Sequence, residues 1–125
     1  TRVFSMLSED GQADTALMAK LFTAATGETM TEAEMDLAGE RIWNVLRAID
    51  VRDQGRDRTV DESTIDGFMY PGKDDGVMPD RAKLVELLEA YYRHRGWNPK
   101  DGRPTREKLE ALGLRDVSEG MAAGR

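Results

Sequence analysis

The sequence predicts an all-α fold, a compact helical domain of about four helices with one long irregular connection. Three observations support this prediction. Apolar residues recur at helical spacing in several separate segments. Helix-start and helix-end signals stand at the ends of those segments. Charged residues make up 34% of the 125-residue chain, which suits a well-solvated helical surface.

The first helix is predicted to run from about Ala13 to Ala25. Gly27 follows it and suits the left-handed conformation in which many helices end. The apolar side chains of this segment fall on one stripe, formed by Leu17, Met18, Leu21, Phe22 and Ala25.

The second helix has the clearest start signal. Thr31 and Glu34 are spaced as a capping box, in which each side chain satisfies a backbone donor at the other position. Met30 and Met35 stand where a hydrophobic staple would cover that box. The helix is predicted to last to about Arg52. Its buried stripe is predicted to contain Met35, Ala38, Ile42, Val45, Leu46 and Ile49.

Three further residues of the second helix point to neighbours. Gly39 lies on the predicted stripe, where a glycine costs roughly 1 kcal/mol relative to alanine, so we expect it to let another helix approach closely. Trp43 borders the stripe and Leu37 lies nearly opposite it. Both could be ordinary surface residues, or both could touch a neighbour outside this chain.

Residues 53–78 show no helical period and are predicted to form the irregular connection, anchored at most by Phe68, Met69 and Tyr70. A third helix is predicted from Asp80, its N-cap, to about Arg95. It should bury Leu84, Leu87, Leu88, Tyr91 and Tyr92.

Two helices are predicted to end in the same C-terminal capping motif. Gly96 suits a left-handed residue, after which Trp97 packs back on Tyr92. A short helix over Thr105 to Leu112 should end in the same way, with Gly113 and a contact between Leu114 and Leu109. We therefore predict one helical domain over residues 1–117 and a disordered tail over residues 118–125.

Composition excludes several classes of partner and site. The net charge of −6 disfavours nucleic acid and anionic membranes, and no apolar stretch approaches the ~20 residues that span a bilayer. The absence of cysteine excludes disulfides, thiolate-bound zinc and cysteine-ligated iron–sulfur clusters within these residues. It is compatible with the cytoplasmic location that we expect.

No residue is singled out as catalytic, cofactor-binding or metal-binding. The one histidine, His94, lies between Arg93 and Arg95, where a helix end favours cations. The loops around Gly55, Gly67 and Gly76 all fail the calcium-loop pattern, and Asp74-Asp75 is interpreted as a solvated turn. Any chemistry must therefore be completed by residues outside this chain.

Several segments, in order and spacing, resemble the C-terminal region of aldehyde:ferredoxin oxidoreductases. The resemblance runs from about Ala13 to Leu114. It rests on three groups of residues: Leu21 to Gly27; Gly39 to Asn44 with Arg47 and Val51-Arg52; and Tyr91 to Trp97 followed by Gly102 to Thr105 and Lys108 to Leu114.

The resemblance implies a fragment of a larger multi-domain enzyme that oxidises aldehydes to carboxylic acids and passes electrons to ferredoxin. It implies tungsten (or molybdenum) held by two pterins and one [4Fe–4S] cluster, all bound by upstream domains. The cluster cysteines and catalytic residues of the family precede the matched segment, so none transfers to a position here. One departure is the absence of proline between Asp53 and Tyr70.

Two functions stay open at this point. In the first, the chain is a non-catalytic part of such an oxidoreductase, whose upstream domains are its partners, and the isolated chain self-associates weakly through the surface those domains would cover. In the second, it is a free-standing helical module for protein–protein interaction, with Leu37, Trp43 and the cluster from Phe68 to Tyr70 as its partner surface.

Overall fold

A computed structural model describes residues 14–68 and 80–123 of the chain. Within these ranges the structure is helical and contains no strand, with one isolated bridge between Trp97 and Pro104. The all-α prediction is confirmed. The helices are α1 (Thr15–Thr26), α2 (Glu32–Gln54), α3 (Arg58–Phe68), α4 (Arg81–Arg95), α5 (Arg106–Ala111) and α6 (Arg115–Ala123).

The chain divides into two compact units, Thr1–Trp43 and Asn44–Arg125. In the first unit, Asp14 caps α1 by accepting a hydrogen bond from the Leu17 amide (2.8 Å). Gly27 ends the helix with φ of 77°, as predicted. Residue 13, the predicted start, lies outside the described residues.

The apolar stripe predicted for α1 is largely exposed. Leu17, Met18 and Leu21 are each more than 40% exposed, whereas Ala19 is buried. The two segments of this unit are joined by polar contacts, since the Thr15 hydroxyl donates to the Glu32 carboxylate (3.0 Å).

The capping box at the start of α2 is confirmed. The Thr31 amide donates to the Glu34 carboxylate (2.8 Å), and the Glu34 amide donates to the Thr31 hydroxyl oxygen (3.2 Å). The bond from the Thr31 amide, together with one from the Thr31 hydroxyl to the same carboxylate (2.7 Å), holds the pKa of Glu34 below its ordinary value. Met30 and Met35 are both half-buried.

The buried face of α2 is the opposite of the predicted one. Its buried residues are Asn44, Arg47, Ala48 and Val51, which share one face at spacings of three and four residues. Of the residues predicted to be buried, Ile42, Leu46 and Ile49 are 61%, 50% and 39% exposed, and Met35, Ala38 and Val45 are half-buried. The prediction was wrong because the partner that faces α2 within the second unit is polar, so the apolar side chains are left outside.

The irregular connection predicted for residues 53–78 is wrong for Arg58–Phe68, which form α3. Asp57 accepts from the Thr59 amide (2.8 Å) at the start of this helix, and Arg58 pairs with Glu62 one turn further on. The helix was missed because its inward positions include the carboxylate of Asp61 in place of an apolar side chain. Residues 69–79, with Met69, Tyr70 and Asp74-Asp75, lie outside the described residues.

The ends of α4 and α5 follow the prediction. Asp80 caps α4, and Gly96 has φ of 69°. The Trp97 amide donates to the Tyr92 carbonyl (2.8 Å), and the Leu114 amide donates to the Leu109 carbonyl (2.8 Å), so both helices end in the Schellman arrangement. The predicted burial of Leu87 on α4 is wrong, since this side chain is 59% exposed.

The disordered tail predicted from residue 118 is contradicted over residues 118–123, which continue α6. The Ser118 amide donates to the Leu114 carbonyl (3.2 Å), and α6 packs against α5. Val117 and Met121, one turn apart, are half-buried. This short apolar pair, separated by small and polar residues, was too weak a period to predict a helix.

Candidate functional site

A buried ion pair lies at the centre of the second unit. Arg47 on α2 and Asp61 on α3 have side chains only 6% and 10% exposed. Arg47 binds the carboxylate through both terminal nitrogens, with Nη2 2.6 Å from Oδ2 and Nη1 3.2 Å from Oδ1. This two-pronged geometry is the strongest form of arginine–carboxylate pair, and it fixes α2 against α3.

Two further side chains donate to the same carboxylate. Arg56 donates to Oδ1 from Nε (3.1 Å) and Nη2 (2.7 Å), and the Tyr92 hydroxyl on α4 donates to Oδ2 (2.5 Å). Burial raises the pKa of Tyr92, and the Asp61 carboxylate raises it further. The phenol therefore stays protonated as a donor, and Asp61 joins α2, α3 and α4.

Trp97 packs against one side of the cluster. Its indole nitrogen donates to the Asn44 side-chain oxygen (2.9 Å), and the guanidinium carbon of Arg47 lies 5.0 Å from the centre of its ring. Its ring also packs on Tyr92, with centroids 6.1 Å apart, as the sequence predicted. Asn44, Tyr92 and Trp97 are at most 4% exposed, so the hydrogen bond between Trp97 and Asn44 is shielded from solvent.

The loop after α4 closes the cluster from a fourth side. Arg47 Nε donates to the Gly102 carbonyl (2.9 Å). The loop is held by its own backbone, since the Gly102 amide donates to the Asn98 carbonyl (2.7 Å) and the Asn98 amide donates to the Arg103 carbonyl (2.8 Å). The same loop is also bonded to α3, because Arg58 donates to the Pro99 carbonyl (2.8 Å).

This arrangement holds α2, α3 and α4 together around one carboxylate. Asp61 accepts five hydrogen bonds, so its oxygens have no accessible lone pair for a metal or a substrate proton. The tyrosine is fixed as a donor, and the guanidinium of Arg47 has its donors on Asp61 and Gly102. The cluster therefore joins three helices and a loop. We call it the arginine clamp, and it consists of Asn44, Arg47, Arg56, Asp61, Tyr92, Trp97 and Gly102.

Stability should depend on pH through Asp61. Burial alone would raise its pKa, but the hydrogen bonds from Arg47, Tyr92 and Arg56 outweigh burial and hold the pKa below its ordinary value of about 3.9. The stabilisation is then complete above about pH 4 and is lost as pH falls through the lower pKa of the folded state. We expect the difference in unfolding free energy between the wild-type chain and Asp61→Asn to shrink from pH 5 to about pH 2. Urea unfolding at several pH values measures it, and a constant difference would contradict the assignment.

The expectation of no catalytic, cofactor or metal residues stays a prediction. His94 is exposed in the last turn of α4, beside Arg93, which pairs with Glu89 (3.0 Å). Over residues 14–68 and 80–123, no three side chains of His, Cys, Asp or Glu come together as metal ligands would. No helix in these ranges is long and apolar enough to cross a bilayer.

Sequence reasoning missed the arginine clamp. Its polar residues on α2, Asn44 and Arg47, lie off the apolar stripe of that helix, and Asp61 lies in the segment predicted to be irregular. One signal was present: Asn44, Arg47, Tyr92, Trp97 and Gly102 all belong to the segments on which the family resemblance rests. The structure brings these five residues together around one carboxylate.

A groove of about 620 Å³ lies between the loop after α4 and α6. Arg103 and Arg106 line it together with Asp101 and Glu119, so its charges oppose one another and select neither anions nor cations. We assign it no ligand.

Comparison with known proteins gives one family. The family model "Aldehyde ferredoxin oxidoreductase, domains 2 & 3" matches residues 3–114. The tungsten-containing aldehyde ferredoxin oxidoreductase of Pyrococcus furiosus is 36% identical over 97 residues, and that of Thermococcus kodakarensis is 34% identical over 97 residues. Each match covers 75% of this chain but only 15% of the relative. No solved structure matches.

Proposed function

This chain belongs to the aldehyde ferredoxin oxidoreductase family, and we propose that it is a non-catalytic helical part, near the C-terminal end, of an enzyme that oxidises aldehydes to carboxylic acids with ferredoxin as electron acceptor. The observation that supports this most directly is the match over residues 3–114, which includes the arginine clamp. The clamp gives the matched residues a role in folding, which is what a supporting domain requires.

The cofactors implied for the whole enzyme are tungsten (or molybdenum) on two pterins and one [4Fe–4S] cluster. Such a cluster is held by cysteine thiolates, and this chain has no cysteine. Asp61, the acidic side chain at the centre of the second unit, already accepts five hydrogen bonds and has no free acceptor position for a metal. The residues present here do not fit these groups, so we assign their binding and the catalytic residues to other domains of a cytoplasmic enzyme.

A second candidate function is a free-standing helical module that binds other proteins. The exposed apolar side chains of α2 favour it, because an unpartnered apolar surface marks an interaction site. The same surface is expected in the first proposal, where the other domains cover it. The two proposals differ in whether the polypeptide that contains this segment holds redox metals.

The deciding experiment is the metal content of the native polypeptide that contains this segment, purified without oxygen. The first proposal expects about one tungsten or molybdenum and about four irons per chain, the content of one pterin-bound metal and one [4Fe–4S] cluster. Fresh, intact protein without any of these metals would refute the oxidoreductase and support the interaction module.

A further inference from the structure

The outward side of α2 bears a continuous apolar stripe, which we call the α2 stripe: Met35, Ala38, Gly39, Ile42, Val45, Leu46 and Ile49. We propose that a helix in the remaining domains of the enzyme docks on the α2 stripe. This inference rests on the proposed function. It adds the surface through which this chain contacts the other domains, the α2 stripe, and the element that contacts it, a helix.

The stripe has no charged member. Gly39, Ile42, Leu46 and Ile49 are exposed, and Met35, Ala38 and Val45 are half-buried. Ile42, at its centre, is 61% exposed, and Leu46 is 50% exposed. At 100° per residue these side chains lie opposite Asn44, Ala48 and Val51, the buried face of the same helix. An apolar row on the side of α2 opposite its buried face is a surface for another body.

The spacing of the stripe identifies that body as a helix. Met35, Ala38, Ile42, Val45 and Ile49 follow one another at alternating intervals of three and four residues. This is the spacing by which one helix packs its side chains into the grooves of a second helix. Gly39 lies beside this row, and a Cβ placed there would meet no described atom within 4 Å, so the partner has room to approach the backbone closely.

The length of the stripe argues for the rest of the enzyme over a second copy of this chain. It extends from Met35 to Ile49, which is only about two heptads, whereas helices that pair on their own sustain the pattern over at least three to four. A larger body that adds other contacts is needed, and all but 15% of each matched relative lies outside the matched segment. A second copy alone would give only the weak self-association expected for the isolated chain.

Thiol labelling tests the proposal, because the chain has no cysteine of its own. Leu46→Cys places a thiol on the stripe. Leu37→Cys is the matched control, since Leu37 is also a leucine of α2, is 48% exposed, and lies nine residues or two and a half turns away on the opposite side. Maleimide modification of each peptide is followed by mass spectrometry, in the dilute 125-residue chain and in the intact enzyme that contains it.

We expect both thiols to react at similar rates in the isolated chain. In the intact enzyme the thiol at residue 46 should react at least about tenfold more slowly than in the isolated chain, because it becomes accessible only when the docked helix opens. Equal rates at residue 46 in the enzyme and in the isolated chain would overturn the proposal. Protection already present in the isolated chain would also overturn it, and sedimentation would then assign the cover to a second copy or to the chain itself.

The outcome separates this inference from the proposed function. Protection of residue 46 in a longer polypeptide that contains no tungsten, molybdenum or iron would refute the oxidoreductase and leave the docking surface in place. Normal metal content with equal labelling rates at residue 46 in the enzyme and in the isolated chain would refute the docking surface alone.

Discussion

Asp61→Ala is expected to lower the free energy of unfolding by about 3–5 kcal/mol, the cost of removing one partner of a buried ion pair. Arg47 is the reason for the size of this effect, because its side chain is only 6% exposed and two of its nitrogens bind the lost carboxylate. The variant leaves that guanidinium charged, largely buried and without its carboxylate partner. The Tyr92 hydroxyl loses its acceptor as well. Urea unfolding followed by circular dichroism measures the loss.

Asp66→Ala is the matched control, on the same helix. Asp66 is 55% exposed and pairs at the surface with Arg81 (2.7 Å), so its removal should leave the unfolding free energy almost unchanged. A third variant, Arg47→Met with Asp61→Leu, removes both charges together and should cost less than Asp61→Ala. If Asp61→Ala and Asp66→Ala unfold at the same urea concentration, the arginine clamp does not stabilise the fold.

Helix ends were predictable from sequence because their causes are local. A capping box needs only Thr31 and Glu34 on neighbouring turns, and a Schellman ending needs only Gly96 and the apolar residue after it. These contacts join residues that are close in sequence, so they do not depend on how distant parts of the chain pack. The predicted ends at Gly27, Asp80 and Gly113 agree with the structure for the same reason.

The buried face of α2 was not predictable, because its cause is distant in sequence. It is decided by Asp61, Tyr92 and Gly102, which lie 14 to 55 residues away from Arg47. A period of apolar residues indicates which side of a helix avoids water, but not which body covers it. On α2 the apolar side lies opposite the buried face, as expected if the period records contacts with other domains.

The arginine clamp was not predicted from the sequence. No motif in the sequence suggested that Asp61 would be buried, and α3 itself was missed since a carboxylate occupies its inward face. The family resemblance selected Asn44, Arg47, Trp97 and Gly102 without giving them a role. Distances were needed to show that these residues support the fold around one acidic group.

Gly102→Ala is expected to destabilise the chain by about 2–5 kcal/mol, through two causes that add. The backbone has φ of 69°, where a side chain costs about 1–2 kcal/mol. A Cβ at this position would also lie 2.6 Å from Arg47 Nη2 and 2.8 Å from the Tyr92 hydroxyl oxygen. Neither atom can retreat freely, because both are bonded to Asp61, and overpacking of this kind costs about 1–3 kcal/mol.

Gly113→Ala separates the two causes. Gly113 has nearly the same φ, 71°, but a Cβ there meets no described atom within 4 Å. It should therefore lose only the conformational part, about 1–2 kcal/mol. The excess loss in Gly102→Ala is the cost of forcing the arginine clamp apart, and urea unfolding of both variants measures it directly. Equal losses would mean that the loop after α4 can move away from Arg47 at no cost, and the clamp would then rest on α2, α3 and α4 alone.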